Sequence, residues 1–416
     1  MKEILRGSFV IVLFKVLGAI SLFSTYILIP RYYGVKMFGV FNLIFALMMI
    51  GSVVARIGLD TYLLRVISSL DNNKREISLF IKESFKIILI GSFMVILLIF
   101  LFIDTINSYL FKSMDAYYYL IGLMVIMVPY TIFNVLPEIF RALDDIKLYA
   151  FFRNFSQNFT IFFLILFNVV TTLMYDPIYT LYTSIIIITI MLIISLYSFL
   201  KKQKINPFIR GKYRNKIIKH SYPMLLAASI MFLMGYIDSF MISYYLNEYQ
   251  VGIYNACISL SLMITFIPTA IGGFISPKVS SAYTRNESLE VKKIFYNSLK
   301  IIILFTIPIF FVLLFYADFF LGLFGKEFEI ATTTLLIVNV AFLSEALCGP
   351  VGFILNMTDN QHVFMKILSI SLLINALFNA LLIPLYGING AAIAMMLSMF
   401  FWTIGSLVIL KRKKII

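Results

Sequence analysis

The residues of this chain that are best suited to chemistry are charged side chains set inside long apolar stretches. Lys15 and Arg56 lie in such stretches in the first half of the chain, and Asp238 and Glu345 lie in such stretches in the second half. An ionised group in hydrocarbon costs about 2.5–3.5 kcal/mol even on the most lenient insertion scale. Each of these four residues therefore needs either a functional role or a specific structural partner.

The cations have two interpretations each. Lys15 can face a polar cavity and contact an anionic ligand, or its ammonium can extend along the helix to the polar surface. Arg56 precedes Asp60 by four residues, so the two can neutralise each other, or the guanidinium can bind a phosphate. Arg31 follows the first apolar stretch and is either an anion contact on the exit side or an interfacial anchor, the simpler interpretation.

The acids and amides also have two interpretations. A carboxylate removed from water takes up a proton more readily, so Asp238 and Glu345 are candidates for coupling to a proton or to Na⁺. Alternatively, each acid locks two helices together by hydrogen bonds. Amide side chains suit sugar hydroxyls but also join neighbouring helices. The candidate amides are Asn154 and Asn158 in the first half, and Asn375 and Asn379 in the second.

Composition assigns these residues to a polytopic membrane protein. The chain is 61% hydrophobic and 13% charged, and its mean hydropathy is +0.97. A soluble domain has too little core volume to bury that much apolar surface. About 20 apolar residues form a helix that crosses a bilayer. Twelve segments satisfy this length: 8–29, 38–59, 87–106, 117–140, 149–172, 178–200, 221–245, 250–275, 300–322, 331–355, 364–385 and 389–410.

The net charge of +14 is explained by topology. With the N-terminus in the cytoplasm, 28 Lys and Arg residues fall in cytoplasmic segments and 4 fall outside. This asymmetry predicts that both termini are cytoplasmic. No basic stretch forms a domain, so no nucleic-acid partner is predicted. The two cysteines, Cys257 and Cys348, are isolated in apolar segments and predict neither a disulfide nor a metal site. No cofactor is predicted.

The chain contains an internal duplication. Gly39 and Asn42 recur as Gly252 and Asn255 at one constant offset, close to half the length of the chain. Both pairs stand at the start of an apolar segment that follows two adjacent tyrosines. Six crossings per copy give two lobes in the same orientation, with a cleft between them at the midplane. We therefore predict an all-α membrane protein whose lobes span 1–200 and 220–416, joined by a basic cytoplasmic linker at 201–219.

Four phrases, in order along the whole chain, resemble the Wzx-type polysaccharide flippases of the multidrug/oligosaccharidyl-lipid/polysaccharide (MOP) exporter superfamily. They are IPRYYGVKMFGVFN (29–42), the hairpin at 234–262, ISPKVSSAYTRNESLEVKKIF (275–295) and PLYGINGAAIAMMLS (384–398). The resemblance implies a MATE-like fold and transfer of an undecaprenyl-pyrophosphate-linked oligosaccharide across the bacterial inner membrane. Membrane lipids, and polymerase and chain-length proteins of the same pathway, are the implied partners.

Two other functions are alternatives to this one. A drug exporter of the related branch would need an acidic, aromatic cavity for cationic drugs, whereas the candidate lining includes Lys15 and Arg56. A membrane enzyme of polysaccharide assembly would need a buried base or paired acidic motifs. His220 and His362 lie at predicted helix edges or loops, and Asp144-Asp145 has no second acidic motif. We therefore predict a transporter and not an enzyme.

Overall fold

The structure, a computed structural model, describes residues 2–70, 73–112, 115–206 and 217–416. For residues 2–9, 219–220, 222–223 and 226–227 only the backbone is described. Every regular element in these ranges is helical, as the sequence predicts. In a bilayer this follows from physics, because a helix satisfies its own backbone hydrogen bonds where no water is available.

The chain divides into two units, Met1–Phe232 and Leu233–Ile416. The helices of the first unit are α1 (Lys2–Tyr33), α2 (Val35–Arg56), α3 (Leu59–Ser69), α4 (Lys74–Leu101), α5 (Ile103–Leu110), α6 (Tyr117–Val135), α7 (Pro137–Ala142), α8 (Ile146–Ala150), α9 (Gln157–Val170) and α10 (Pro177–Lys202). A π-helical turn, Phe151–Ser156, joins α8 to α9.

The boundary between the units falls within α11 (Ile217–Tyr245). The second unit continues with α12 (Glu248–Thr284), α13 (Ser288–Phe315), α14 (Ala317–Gly322), a 3₁₀ helix (Lys326–Ala331), α15 (Thr332–Cys348), α16 (Val351–Met357), α17 (Gln361–Tyr386) and α18 (Ile388–Arg412). The predicted linker at 201–219 precedes the boundary, and its residues 207–216 lie outside the described residues.

Ten helices in the described ranges are long and apolar enough to cross a membrane, and they coincide with ten of the twelve predicted segments. The predicted segment 149–172 is formed by α8, the π-helical turn and α9. The predicted segment 221–245 falls on α11, whose side chains are only partly described. The multi-pass membrane class is confirmed, while the number twelve and the cytoplasmic position of the termini stay predictions.

Side chains on the outside of these helices are large and apolar. Helix α4 exposes Ile90, Phe93 and Leu101, each by more than 60%. A soluble protein rarely exposes contiguous apolar surface on this scale, because water would drive it into a core or an interface. Lipid tails are the solvent that fits these faces.

The helices of the two units correspond in length and position. Helices α4 and α13 both have 28 residues, and each is followed after one residue by a short helix, α5 or α14. Asn42 and Asn255 form the same bond, since each Nδ2 donates to the carbonyl four residues earlier, at 2.8 and 2.9 Å. These matches support the duplication inferred from the sequence.

The first unit has one feature that the second lacks. Helix α17 occupies the place in the second copy that α8, the π-helical turn and α9 occupy in the first, and it is α-helical throughout. A π-helical turn inserts one residue into the helix and rotates the side chains that follow it. The turn therefore gives the polar side chains between 153 and 158 an orientation that an uninterrupted α-helix, such as α17, would not give.

The start of α11 packs against the turn between α2 and α3. Ile57 and Gly58 have positive φ angles of 50° and 71°, which end α2 immediately after Arg56. A Cβ on Gly58 would lie 2.5 Å from the carbonyl oxygen of Ser221, so only glycine fits both the backbone angle and the contact. This contact explains why the first part of α11 belongs to the first unit.

Helices α2 and α4 cross closely at Gly91. A Cβ built on Gly91 would lie 2.0 Å from the carbonyl oxygen of Ala55, which is backbone and cannot rotate away. Small residues at such crossings let membrane helices approach each other. The crossing fixes the last turn of α2, which carries Arg56.

We predict that Gly91→Ala destabilises the protein by about 1–3 kcal/mol, the usual cost of overpacking, because the two backbones must separate. The measurement is the midpoint of thermal unfolding of the purified protein in detergent. Gly273→Ala on α12 is the matched control, since a Cβ there meets nothing within 4 Å. Equal midpoints for the two variants would contradict the close crossing.

Candidate functional site

Asp238 on α11 is 5% exposed and is hydrogen-bonded to two helices of its own unit. The Tyr254 hydroxyl on α12 donates to its Oδ2 at 3.1 Å, and Asn379 Nδ2 on α17 donates to its Oδ1 at 2.6 Å. The acid thus has a donor on each oxygen, which is the condition under which a buried carboxylate can remain charged.

The two predicted amides on α17 continue this network. Asn379 Nδ2 also donates to Asn375 Oδ1 at 2.9 Å, and Asn375 Nδ2 donates to Ser398 Oγ on α18 at 3.4 Å. The structure therefore brings Asn375 and Asn379 together with Asp238, two groups that the sequence analysis treated separately. Tyr254, which the sequence analysis did not single out, follows Asp238 across the hairpin of α11 and α12.

The same network contains an oxygen atom without a donor. Asn379 Oδ1 is buried and has no hydrogen-bond partner among the described residues, and neither has Ser371 Oγ, about two turns earlier on α17. Both Nδ2 protons of Asn379 are used, so its amide oxygen is left as an acceptor. A carboxylate with nearby amide and hydroxyl oxygens is the kind of ligand set that suits a hard cation or an added proton.

A local reason positions this network at the start of the second unit. Asn247 ends the turn between α11 and α12, and its side chain accepts from the Gln250 backbone N–H at 3.1 Å. Asn255 Nδ2 donates to Ser239 Oγ at 3.0 Å, in register with the bond from Tyr254 to Asp238. The bond from Asn255 to Ser239 and the bond from Tyr254 to Asp238 both join α12 to α11, and together they hold the hairpin in one register.

Glu345 lies on α15 and is half-buried. Within the part of the chain that is described, no side chain forms a hydrogen bond or an ion pair with its carboxylate. The structure does not bring Glu345 into the network of Asp238. The two predicted ion-coupling acids therefore differ, since one is hydrogen-bonded on both oxygens and the other is not.

Arg56 in the first unit is 3% exposed and forms the predicted pair with Asp60, with Nη1 3.3 Å from Oδ2. Its guanidinium also lies 5.6 Å from the centre of the Phe232 ring. Arg153 and Glu138 are within its electrostatic range. Arg56 is thus part of a larger charged group and not an isolated pair.

Arg153 is a further residue that was not predicted from the sequence. It lies in the π-helical turn, and its Nη1 donates to the backbone carbonyl of Asn134 at 3.2 Å. Glu138 is 6% exposed, and its Oε2 lies 3.6 Å from Nη1 of Arg141, which is too long for a hydrogen bond. A sequence pattern that could have identified Arg153 was present, because this arginine precedes the polar side chains at 154, 157 and 158 in an apolar segment.

The remaining predicted residues lie apart from this group. The side chains of Lys15 and Arg31 are exposed on α1. Gly18, nearly one turn after Lys15 on α1, is buried. Asn158 Nδ2 donates to the Gly18 carbonyl at 3.2 Å, which is the interhelical use of an amide, and Asn154 is half-buried beside it.

Metal-binding side chains are sparse in the described ranges. No group of three or more His, Cys, Asp or Glu residues there could hold a metal ion. Cys257 and Cys348 are free thiols.

Comparisons with known proteins identify the family. A family model described as "Polysaccharide biosynthesis protein" matches residues 28–332. A probable low-salt glycan biosynthesis flippase of Haloferax volcanii, Agl15, is 28% identical over 165 residues, which are 39% of this chain and 35% of that relative. The chain thus spans about a third of the length of this curated relative.

Two solved structures share the fold over nearly the whole chain. The lipid II flippase MurJ, in an inward closed conformation, has a TM-score of 0.77 at 15% identity. The superposition covers 99% of this chain and 89% of the MurJ chain. An inward-facing multidrug resistance MATE family transporter of the MOP superfamily has a TM-score of 0.76 at 12% identity and covers 98% of each chain. These likenesses confirm the predicted all-helical, MATE-like fold.

The family model covers well over half of the chain, and the similar structures have the fold that the sequence resemblance implied. The chain is therefore a multi-pass membrane protein of the polysaccharide biosynthesis protein family, with the fold of the MurJ and MATE transporters.

Proposed function

We propose that this protein is a flippase that moves an undecaprenyl-pyrophosphate-linked oligosaccharide from the inner to the outer leaflet of the bacterial inner membrane. The cargo would be a repeat unit of O-antigen or capsule. The mechanism would be alternating access, coupled to a gradient of protons or Na⁺. The protein would act as a transporter and not as an enzyme, since no bond in the cargo needs to break.

The observation that carries this proposal is a buried guanidinium in the first unit and a buried, hydrogen-bonded carboxylate in the second. The first unit buries Arg56, paired with Asp60, and the second buries Asp238 in a network of amides. A diphosphate needs cationic donors, because guanidinium groups match its geometry and charge. A coupling ion needs an anionic site. One chain thus offers a suitable group for each.

The predicted substrate contacts follow from this assignment. Arg56 is the primary candidate for the diphosphate. Lys15 and Arg31, both exposed on α1, are further cationic contacts along the path of the cargo. Asn154 and Asn158 are candidates for sugar hydroxyls, and polymerase and chain-length proteins are candidate partners.

The ion-coupling role is assigned to Asp238, with Glu345 as a second titrating acid. Asn375 and Asn379 support Asp238 and supply amide oxygens for Na⁺. Binding of a cation would reorganise the bonds that join α11, α12 and α17. The helix contacts would then differ between the state with the ion and the state without it. An ion that binds one conformation better than another shifts the equilibrium between the two conformations.

A drug exporter is the second candidate, since the fold is shared with a multidrug transporter. Arg56, the buried guanidinium of the first unit, would repel a cationic drug that came close to it. Asp238 could receive the drug only by giving up its present hydrogen bonds. Arg56 therefore favours the anionic cargo.

Deletion of the gene tests the main proposal. Lipid-linked repeat units are expected to accumulate with their sugars facing the cytoplasm while surface polysaccharide is lost, and a plasmid copy should restore both. The measurement combines surface polysaccharide staining with a sugar-specific lectin on sealed membrane vesicles of both orientations. Normal surface polysaccharide, in a strain without a second flippase, would refute the proposal, and altered resistance to cationic drugs would favour the exporter.

Neutralising the acids tests the coupling. We expect Asp238→Asn and Glu345→Gln each to change how translocation in proteoliposomes depends on an imposed proton or Na⁺ gradient, because each removes a group that can bind the ion. Equilibrium binding of ²²Na⁺ to the purified variants separates the two ions. Asp104→Asn on the exposed helix α5 is the matched control. If both variants keep the gradient dependence of the unchanged protein, neither acid couples transport.

A further inference from the structure

The turn that joins α12 to α13 borders an open groove in the second unit. The groove has a volume of about 790 Å³, and small-molecule pockets usually measure about 300–1,000 Å³. We call it the basic groove and define it by Lys278, Ser281 and Arg285 at or just after the end of α12, and by Leu289, Lys293 and Asn297 at the start of α13. The ends of two helices therefore line one cavity.

Each helix presents its lining residues on a single face. On α12 they are separated by three and then four residues, and on α13 by four and four. Side chains at these spacings lie above one another on an α-helix. A ligand in the groove therefore contacts α12 and α13 together.

Positive charge predominates in the groove. Three cations and one acid, Glu290, line it. Arg285 is partly neutralised, because its Nη2 lies 3.1 Å from an oxygen of Glu287 and 3.7 Å from an oxygen of Glu290. Lys278 and Lys293 form no ion pair with any described residue. These two lysines, one on each helix, leave positive charge without a counter-ion on both sides of the cavity.

The length of α12 places the groove at the edge of the hydrocarbon. The helix has 37 residues, which span about 55 Å, whereas the hydrocarbon core is about 30 Å thick. The predicted apolar segment ends at 275, and Lys278 is the first charged residue after it. The charge distribution predicts that this end of α12 is cytoplasmic. The groove therefore lies at the level of the lipid head groups.

The orientation of Lys278 supports this level. A lysine at a membrane surface usually extends its ammonium toward water. Lys278 instead lies over the ring of Phe274, one turn earlier on α12, with Nζ 4.1 Å from the ring centre. Phe274 is 62% exposed, and Leu289 on α13 is 83% exposed. The groove thus combines ammonium groups that lack a counter-ion with apolar side chains that a lipid tail can cover.

The corresponding positions of the first unit differ. At the local offset of the repeat, Lys293 corresponds to Leu79 and Asn297 corresponds to Glu83. Leu79 is buried, and Glu83 brings an acid where the groove has a neutral amide. A topology signal depends on the number of basic residues near a membrane helix and not on the helix face that carries them. The placement of lysines on both sides of one cavity therefore indicates a local role.

We propose that the basic groove binds the head group of an anionic membrane phospholipid, with the lipid phosphate between Lys278 and Lys293. Phe274 and Leu289 contact the first part of the acyl chains. Basic pockets between membrane helices on the cytoplasmic side bind anionic head groups. The lipid compensates the charge of both lysines and joins α12 to α13. It is not the cargo, so the inference does not depend on the proposed function.

The groove suits an anionic phospholipid better than two other ligands. A soluble anion such as glycerol phosphate supplies the charge but leaves Phe274 and Leu289 in water. A zwitterionic phospholipid covers these side chains, but its own cation is repelled by the lysines. Of the three, only the anionic phospholipid matches both the charge and the exposed apolar side chains.

The test uses the purified full chain in detergent, titrated with phosphatidylglycerol or phosphatidylcholine. Native mass spectrometry gives the dissociation constant of each bound lipid. The main variant is Lys278→Gln/Lys293→Gln, and Lys278→Arg/Lys293→Arg keeps both charges. The matched control is Lys201→Gln/Lys202→Gln, which removes two exposed lysines from the end of α10. If the main variant has a lower thermal unfolding midpoint in phosphatidylcholine, its two single variants replace it.

We expect the unchanged protein to bind phosphatidylglycerol more tightly than phosphatidylcholine. The main variant should bind phosphatidylglycerol about tenfold more weakly, because two charge contacts with the head group are lost. The arginine variant and the control should bind it as the unchanged protein does. Glu290→Gln should bind it more tightly, since an acid that repels the phosphate is removed, whereas a merely structural pair with Arg285 would not give this sign.

Three results would overturn the inference. The first is equal affinity of the main variant and the control for phosphatidylglycerol. The second is displacement of the lipid by glycerol phosphate at comparable concentration, which would assign the groove to a soluble anion. The third is displacement by undecaprenyl pyrophosphate at comparable concentration, which would assign it to the carrier of the proposed cargo.

Discussion

Hydrocarbon cannot hydrogen-bond, and this single property of the bilayer shapes the rest of the structure. Backbone groups are satisfied inside helices, so the described part of the chain is helical wherever it is regular. Side chains obey the same constraint. Asp238 is acceptable in an apolar segment because Tyr254 and Asn379 donate to its two oxygens. Buried polar atoms that lack a partner among the described residues, such as Asn379 Oδ1, are therefore informative.

Duplication provides the helices, and divergence between the copies provides the chemistry. At the constant offset of the repeat, Thr25 of the first unit corresponds to Asp238 of the second, and Arg56 of the first corresponds to Thr269 of the second. Each threonine hydroxyl donates to the carbonyl four residues earlier, at 2.9 Å for Thr25 and 2.8 Å for Thr269. In each pair the threonine hydroxyl is hydrogen-bonded within its own helix, whereas the charged side chain depends on partners from other helices.

The sequence by itself determined the class, the approximate helices and the residues worth testing. Long apolar segments have no stable state in water, and charges within them are costly, so hydropathy and a few isolated charges were sufficient. It also identified the pair of Arg56 with Asp60, because a spacing of four residues is local. The family resemblance needed only four short phrases in order.

Only the tertiary structure decided which of these residues meet. Asp238 and Asn379 are 141 residues apart, and Arg153 reaches Asn134 through a helical irregularity that no periodicity predicts. Exposure of Lys15 depends on which face of α1 packs, and hydropathy does not distinguish lipid from protein as the apolar neighbour. Sequence reports the solvent preference of each residue, whereas contacts between distant residues are set by how the helices pack.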